Sequence, residues 1–325
     1  MSKPSLAVLL CNFAGKLIPW VCPAFLLPFH IQKLLGIGIF DCMPVPYLPK
    51  SPLENKYEGG SFMQKGNSKK YNYKNHLSDS QNFLTNRTLI KKIVNRSTIC
   101  KNDIVLEIGT GKGHLTEILC QKSGTVYSIE IDQRLFESSR AKLNHFSNLT
   151  LIHEDFLHYS LPAKVSYKVF ANIPYFITTP IIEKLTNAPN PPADIWLIME
   201  KGAAMRFAGF PRETEKSLLL KVKWNMKILH HFRKEDFHPM PSVNSVLLHF
   251  SQKETPDLDN ARFPAFKKFV AHSMKYGICG KQGLLTKRQV SVALKRAGLP
   301  PARENGVTLY IQWLCLFRCY QSISR

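Results

Sequence analysis

The stretch that most constrains the fold of this chain is Ile104-Val-Leu-Glu-Ile-Gly-Thr-Gly-Lys-Gly113, an apolar run of strand length that breaks into three alternating glycines and enters a helical pattern at His114-Leu-Thr-Glu-Ile-Leu. Glycine at 109, 111 and 113 lets the backbone turn and approach a ligand without a Cβ clash, and the helix that follows offers free N–H groups at its start. The spacing is GxGxG. Dinucleotide dehydrogenases use GxGxxG, which aims a helix N-terminus at a pyrophosphate. Here Glu107, just ahead of the glycines, places a carboxylate where an ammonium could sit. The loop therefore predicts a cationic nucleoside cofactor, and S-adenosylmethionine is the ligand inferred; a bare glycine turn joining strand to helix is the alternative for the loop taken alone.

The strands that follow repeat the design. Val126-Tyr-Ser-Ile-Glu-Ile-Asp132 ends in acids at about the distance from the glycines expected of a ribose-binding carboxylate, so Glu130 is read as the ribose ligand. Asp132 is read as the cap of a helix from Gln133 to Leu143. Leu149-Thr-Leu-Ile-His-Glu-Asp-Phe156 ends in acids again, with Asp155 as the adenine contact and Phe156 beside the ring. Three successive strands thus bring Glu107, Glu130 and Asp155 to one sheet edge, and parallel sheets bind ligands outside the carboxyl ends of their strands. Upstream, Asp79-Ser-Gln-Asn-Phe-Leu-Thr-Asn precedes a helix marked by Leu89, Ile90, Ile93 and Val94, where a helix cap with a Phe83/Leu84 staple competes with a ligand contact. Downstream, Asp194–Glu200 reads as a buried strand and Pro241–Phe250 as the hairpin strand that closes the sheet.

Between them, Tyr167-Lys-Val-Phe-Ala ends in Asn172-Ile-Pro-Tyr175-Phe176. An exocyclic adenine amine is a poor nucleophile because its lone pair is delocalised into the ring. A catalyst must draw that nitrogen towards tetrahedral geometry and aim it at a sulfonium methyl. The side-chain oxygen of Asn172 and a main-chain carbonyl at Ile173 or Pro174 can take the two amine hydrogens, with Pro174 keeping the turn rigid and Tyr175 stacking on the base. No general base is required, since the methylated nitrogen becomes acidic only after transfer. His238 is accordingly assigned no catalytic role.

The charge of the chain points to its partner. Forty-four Lys and Arg against 23 Asp and Glu give +21, nearly all of it beyond Phe62, which is excessive for an enzyme of small metabolites and fits a polyanion. Lys201, Arg206, Arg212, Lys216, Lys221 and Lys223 are candidates for phosphate contacts. Past the polar linker Glu254-Thr-Pro-Asp-Leu-Asp the pattern turns helical, with a capping box at Thr286–Gln289 and a last helix through Leu309–Phe317. That lobe carries Lys275, Lys281, Lys287, Arg288, Lys295 and Arg296, and is read both as packing and as RNA docking. Eight cysteines without a CxxC pair indicate reduced thiols, no metal site and a cytoplasmic home.

The first residues read differently. Leu6–Phe29 is apolar but broken by Lys16, Pro19, Pro23 and Pro28, a poor membrane span and only a partial match to a signal peptide. Glu58-Gly-Gly, shortly before Met63, can be encoded by a purine run like a ribosome-binding site. Met63 is therefore expected to be the natural start, residues 1–62 to stand outside the working fold, and residues 63–80 to form a basic flexible arm.

In order along the chain, Gln81-Asn-Phe-Leu, Glu107-Ile-Gly-Thr-Gly-Lys-Gly-His-Leu-Thr, Glu130-Ile-Asp, Asp155, Asn172-Ile-Pro-Tyr, Met199-Glu-Lys-Gly-Ala-Ala and Phe237-His-Pro-Met-Pro-Ser-Val-Asn-Ser resemble Erm-type ribosomal RNA adenine N6-methyltransferases, of the larger KsgA-like dimethyltransferase superfamily. The resemblance runs from about Met63 to the C-terminus. It implies a Rossmann-like α/β methyltransferase domain over residues 81–252 and an all-helical RNA-binding domain over 253–325. It also implies that Gln81, Asn82, Leu84, Gly109, Glu130, Asp155 and Asn172 contact S-adenosyl-L-methionine. Glu107, Gly111 and Phe156 join that set from the reading of the strands. By the same resemblance Asn172 and Tyr175 serve the target adenine and Phe237 packs near the target base. The implied substrate is an adenine of 23S rRNA, met before or during ribosome assembly by a monomer without a membrane or an obligate protein partner. Its methylation would confer macrolide, lincosamide and streptogramin B resistance. A KsgA-like small-subunit enzyme and a non-catalytic nucleic-acid binder on the same fold are the alternatives. Phe176 after the catalytic tyrosine and the 62-residue upstream segment depart from the family pattern.

Overall fold

The computed structural model describes residues 82–302 and 309–323. The expectations for residues 1–62, for the arm at 63–80 and for Gln81 lie outside the described residues. Among those described, no helix is long and apolar enough to cross a membrane.

The chain runs β1 (Phe83–Leu84), α1 (Arg87–Asn95), β2 (Ile104–Ile108), α2 (His114–Lys122), β3 (Thr125–Glu130), α3 (Gln133–Leu143), β4 (Leu149–His153), β5 (Lys168–Asn172), α4 (Thr178–Thr186), β6 (Asp194–Glu200), α5 (Lys201–Ala208), α6 (Glu215–Lys221), β7 (Trp224–His231), β8 (Phe237–His238) and β9 (Ser245–Gln252). Three helices close it: α7 (Phe263–Tyr276), α8 (Lys287–Arg296) and α9 (Tyr310–Ile323). Seven strands form one sheet in the order β4-β3-β2-β5-β6-β9-β7. The strands from β4 to β6 in that order are parallel, while β9 runs antiparallel to β6 and β7 antiparallel to β9. Strand order reverses between β2 and β5, so the crevice that parallel sheets use for ligands opens outside the ends of those two strands.

Burial on both faces explains why β2, β5 and β6 read as continuous apolar runs. Val105, Phe170, Trp196 and Ile198 pack with Ile90, Ile93 and Val94 of α1 and with Leu115, Ile118 and Leu119 of α2. Leu106, Ile108, Val169, Ala171 and Leu197 pack on the opposite face with Ile181, Ile182 and Leu185 of α4. A third cluster joins Leu218 and Val222, from α6 and the turn after it, to Phe266, Phe269 and Val270 of α7, Leu294 of α8 and Trp313, Leu316 and Phe317 of α9. The C-terminal helices therefore complete their core with residues that precede Gln252.

Local signals hold at most boundaries. The Asp132 carboxylate accepts from the amides of Arg134 and Leu135, capping α3, an arrangement worth about 1 kcal/mol. Thr286 and Gln289 form the reciprocal capping box of α8. Asn86, the last residue of the polar stretch read as a cap, caps α1 by accepting from Leu89 N. Phe83 and Leu84 are no staple but a short strand, with Phe83 opposite His238 and Leu84 opposite Phe237. The sheet also holds a strand absent from the sequence reading, β7, and β9 starts at Ser245 rather than Pro241.

Candidate active site

The glycine loop sits at the carboxyl end of β2, and its conformation is what requires glycine. Gly109, Gly111 and Gly113 all have φ between +56° and +80°. At Gly111 a Cβ would also stand 2.9 Å from the Phe83 ring, so space and backbone both exclude a side chain there. Gly109 N donates to the carbonyl of Ile129 at 2.8 Å, which ties the loop to β3.

Around this loop lies a cavity lined by Asn82, Phe83 and Leu84, by Gly109 and Gly111, by Glu130 and Ile131, by Asp155 and Phe156, and by Asn172 to Ile177. Glu130 is 4% exposed; its two carboxylate oxygens accept from Gly111 N at 2.8 Å and Asp132 N at 2.9 Å. Burial pushes its carboxyl above the ordinary value, against the lowering effect of those two amides. Each oxygen keeps a lone pair for a donor such as a ribose hydroxyl. Asp155 accepts from Leu157 N at 2.8 Å through one oxygen, with His158 Nδ1 3.2 Å from the other.

Asn172, the last residue of β5, donates its amide N–H to the carbonyl of Asn82 at 2.8 Å. That bond assigns the nitrogen and leaves Oδ1 as an acceptor. Ile173 N donates to Ile198 O at 3.1 Å, holding the turn to β6. The Pro174 carbonyl accepts from Ile177 N at 3.3 Å within a 3₁₀ turn over Tyr175–Ile177. The Tyr175 ring enters the cavity wall and its hydroxyl lies 2.5 Å from the hydroxyl of Ser245.

Two expected site residues are placed elsewhere. Alternation along β2 sends Leu106 and Ile108 to one face and Val105 and Glu107 to the other, so Ile108 lines the cavity and Glu107 lies under the loop, fully buried. Its carboxyl accepts from the Ser128 hydroxyl at 2.7 Å, and that hydroxyl is 2.6 Å from Thr110 Oγ1. Burial pushes the Glu107 carboxyl up to about 8. Phe237 is 2% exposed and packs edge-on to Phe232, 5.5 Å between centroids, rather than facing the cavity. The phosphate candidates are divided too: Lys221 pairs with Glu213 and Lys216 with Glu183, while Arg206 and Arg212 stand exposed. Sequence reasoning missed Phe83, Ile131 and Phe176 as lining residues. Ile131 and Phe176 each directly follow a residue that was chosen, and the 37% and 43% exposure of these two apolar side chains is the signal that the site uses them.

The glycines and the two acid-ended strands fit a flat nucleoside carrying a cationic tail: a cradle a Cβ would fill, carboxylates for hydroxyls and amines, and apolar Ile131 and Phe156 for a ring. With the amide and aromatic of the Asn172–Tyr175 turn at the same switch point, fold and site together define a Rossmann-like methyltransferase. The profile of the ribosomal RNA adenine dimethylase family matches residues 72–285. The rRNA adenine N-6-methyltransferase of Streptococcus sanguinis is 36% identical over 247 residues, 76% of this chain and 97% of that protein. The Bacillus anthracis protein of the same name is 33% identical over 267 residues, 78% of this chain and 92% of its own length. Among solved structures, the 23S rRNA methyltransferase ErmE superposes with a TM-score of 0.66 at 26% identity, covering 74% of this chain and 100% of that one. A dimethyladenosine transferase from Plasmodium falciparum shares the fold, with a TM-score of 0.55 at 24% identity over 68% of this chain and 84% of its own. The chain belongs to the ribosomal RNA adenine dimethylase family.

Proposed function

We propose that this protein methylates N6 of an adenine in 23S rRNA and thereby confers resistance to macrolides, lincosamides and streptogramin B. The observation that carries the reading is the Asn172 amide, whose nitrogen is committed to Asn82 O so that its oxygen is the free acceptor beside Tyr175. S-adenosylmethionine supplies an electrophilic methyl on a sulfonium sulfur. Asn82, Leu84, Gly109, Gly111, Glu130, Asp155 and Phe156 would hold it, Glu130 as acceptor for ribose hydroxyls and Asp155 for the adenine amine. Asn172 Oδ1 and a main-chain carbonyl accept the two hydrogens of the target amine. Ile173 is the better source of that carbonyl, because Pro174 O already accepts from Ile177 N. Two acceptors at fixed positions turn the nitrogen lone pair out of conjugation and towards the methyl, and Tyr175 stacks on the base that has been drawn out of the RNA.

The 23S substrate named for ErmE, whose whole length this chain covers, supports the large-subunit reading. Exposed Arg206, Arg212, Lys287, Arg288, Lys295 and Arg296, within a net charge of +21, supply the phosphate contacts. The test is incubation of the purified protein with methyl-labelled cofactor and protein-free 23S or 16S RNA, followed by mapping of the modified position. Label on one adenine of the 23S peptidyl-transferase region is expected. Label on 16S RNA alone would overturn the large-subunit assignment, and no label on adenine would overturn the activity.

A further inference from the structure

Tyr175 is a half-buried ring in the lining of the cavity, attached to a short 3₁₀ turn. Stacking needs the ring plane to be fixed, and a ring free about χ1 and χ2 would lose entropy on each encounter with the base. One contact removes that freedom: the phenol oxygen lies 2.5 Å from Ser245 Oγ. Ser245 is 3% exposed, opens β9 and stands opposite Glu200, the last residue of β6. Its carbonyl accepts from Phe232 N at 3.0 Å, and the neighbouring Asn244 carbonyl accepts from Lys201 N at 2.8 Å, so the main chain around the hydroxyl is held on both sides.

The contact also closes a circuit. Phe232 packs edge-on to Phe237, Phe237 pairs with Leu84 across the β1–β8 ribbon, and Asn82, two residues before Leu84, holds the Asn172 amide. Asn172 and Tyr175 are thus tied together twice, once through the Ile173-Pro174 turn and once through Ser245 and the ribbon. Resting on the adenine methylation proposed above, we infer that Ser245 is a positioning residue for that reaction: its hydroxyl sets the Tyr175 ring plane relative to the Asn172 acceptor. It touches neither cofactor cavity nor base, and it acts through Tyr175 alone.

The experiment combines Ser245→Ala, Ser245→Thr, Tyr175→Phe and the Ser245→Ala/Tyr175→Phe pair, assayed on 23S RNA for kcat and KM. A hydrogen bond of this kind is worth roughly three- to tenfold in a rate it controls. Ser245→Ala and Tyr175→Phe are each expected to lower kcat by about that factor with KM for RNA little changed, and the pair to lose no more than either alone. Ser245→Thr, which keeps a hydroxyl, is expected to recover most of the activity. In protein labelled with ¹³C at tyrosine Cζ and free of ligands, the Tyr175 resonance is expected to move in Ser245→Ala. Losses that multiply in the pair, or a wild-type kcat in Ser245→Ala, would overturn the inference. Tyr175→Phe removes the same bond from the cavity side and keeps the test open if Ser245→Ala folds poorly. An inactive wild-type protein would count against the methylation reading instead, and the Tyr175 resonance would still report on the bond.

Discussion

The side-chain amide of Asn172 donates to the main-chain carbonyl of Asn82 at 2.8 Å, joining the end of β5 to the segment that leads into β1. An asparagine amide is nearly symmetric to X-rays and to shape, but not to hydrogen bonding: with the nitrogen committed, the oxygen is presented to whatever enters the cavity. Residues far apart in sequence thereby decide the polarity of the side chain proposed to meet the target amine.

Replacing that side chain should separate chemistry from binding. Asn172→Ala removes the acceptor, and Asn172→Asp sets a carboxylate against the Asn82 carbonyl so that the group is pushed from its place. Misplacement of this order costs about 100-fold in rate. Both variants are expected to lose at least that in kcat while filter-binding affinity for 23S RNA, which rests on many phosphate contacts, stays within about threefold. A parallel fall in RNA affinity would count against the role given to Asn172.

Gly111 tests the cradle. Its φ of +56° costs an alanine about 1–2 kcal/mol, and the new Cβ would meet the Phe83 ring at 2.9 Å. Gly111→Ala is expected to raise the dissociation constant of S-adenosylmethionine by about tenfold or more, read by calorimetry. Adding Phe83→Leu relieves the crowding but not the backbone, so it should restore only part of the loss. Full restoration would show that the conformation of the loop is not what the glycine serves.

How much of this was legible follows from which interactions are local. The glycines, the strand that carries them, the Asp132 cap and the Thr286 box are patterns within a few residues, and they stand where the sequence puts them. Glu130 ends β3 and Asp155 follows β4 by two residues, so the placement of both at the carboxyl edge of a parallel sheet is legible from the strand pattern. Glu107 was misplaced because an acid near a glycine loop looks like a ligand until strand alternation is applied, and alternation turns it to the α2 face. The setting of Phe237 is not local either: the β1–β8 ribbon pairs residues more than 150 apart, and no local signal announces that Phe237 is covered by Leu84 and Phe232. The edge strand β7 alternates buried and solvated residues from Trp224, a period that was available but was overshadowed by the lysines just before it. Ser245 lay inside a recognised motif, yet its partner Tyr175 is 70 residues away.

Glu107 makes a prediction about stability and pH. Its carboxyl is raised by burial from about 4.5 in the unfolded chain to about 8 in the fold, so the folded state binds a proton the unfolded state does not. The favourable contribution is complete below about 4.5 and is lost as pH rises through 8, because folding must then either keep a proton from solvent or bury a charge. Glu107→Gln mimics the protonated form. The variant is expected to melt close to the wild type near pH 5 and above it at pH 8.5, with the gap opening between. A gap independent of pH would mean that Glu107 is ionised in the fold.

The last prediction concerns the border at Gln252, where the sequence places the end of the catalytic domain. Leu218 and Val222 are fully buried, and what covers them is α7, α8 and α9. Further anchors lie across the same border: Asp257 N donates to Val222 O at 2.9 Å, and Tyr310 donates its hydroxyl to Asp257 at 2.7 Å. Cutting the chain after Gln252 would expose both apolar side chains at about 1.5–3 kcal/mol each, a large share of the stability of a domain this size. The fragment is therefore expected to melt lower than the full chain and to associate in gel filtration, whereas a polar replacement of the uncovered pair, Leu218→Gln with Val222→Thr, should reduce association without restoring the melting temperature. A fragment that stays monomeric and melts as the full chain does would show that the helical part is a separable domain, and that α6 belongs wholly to the sheet.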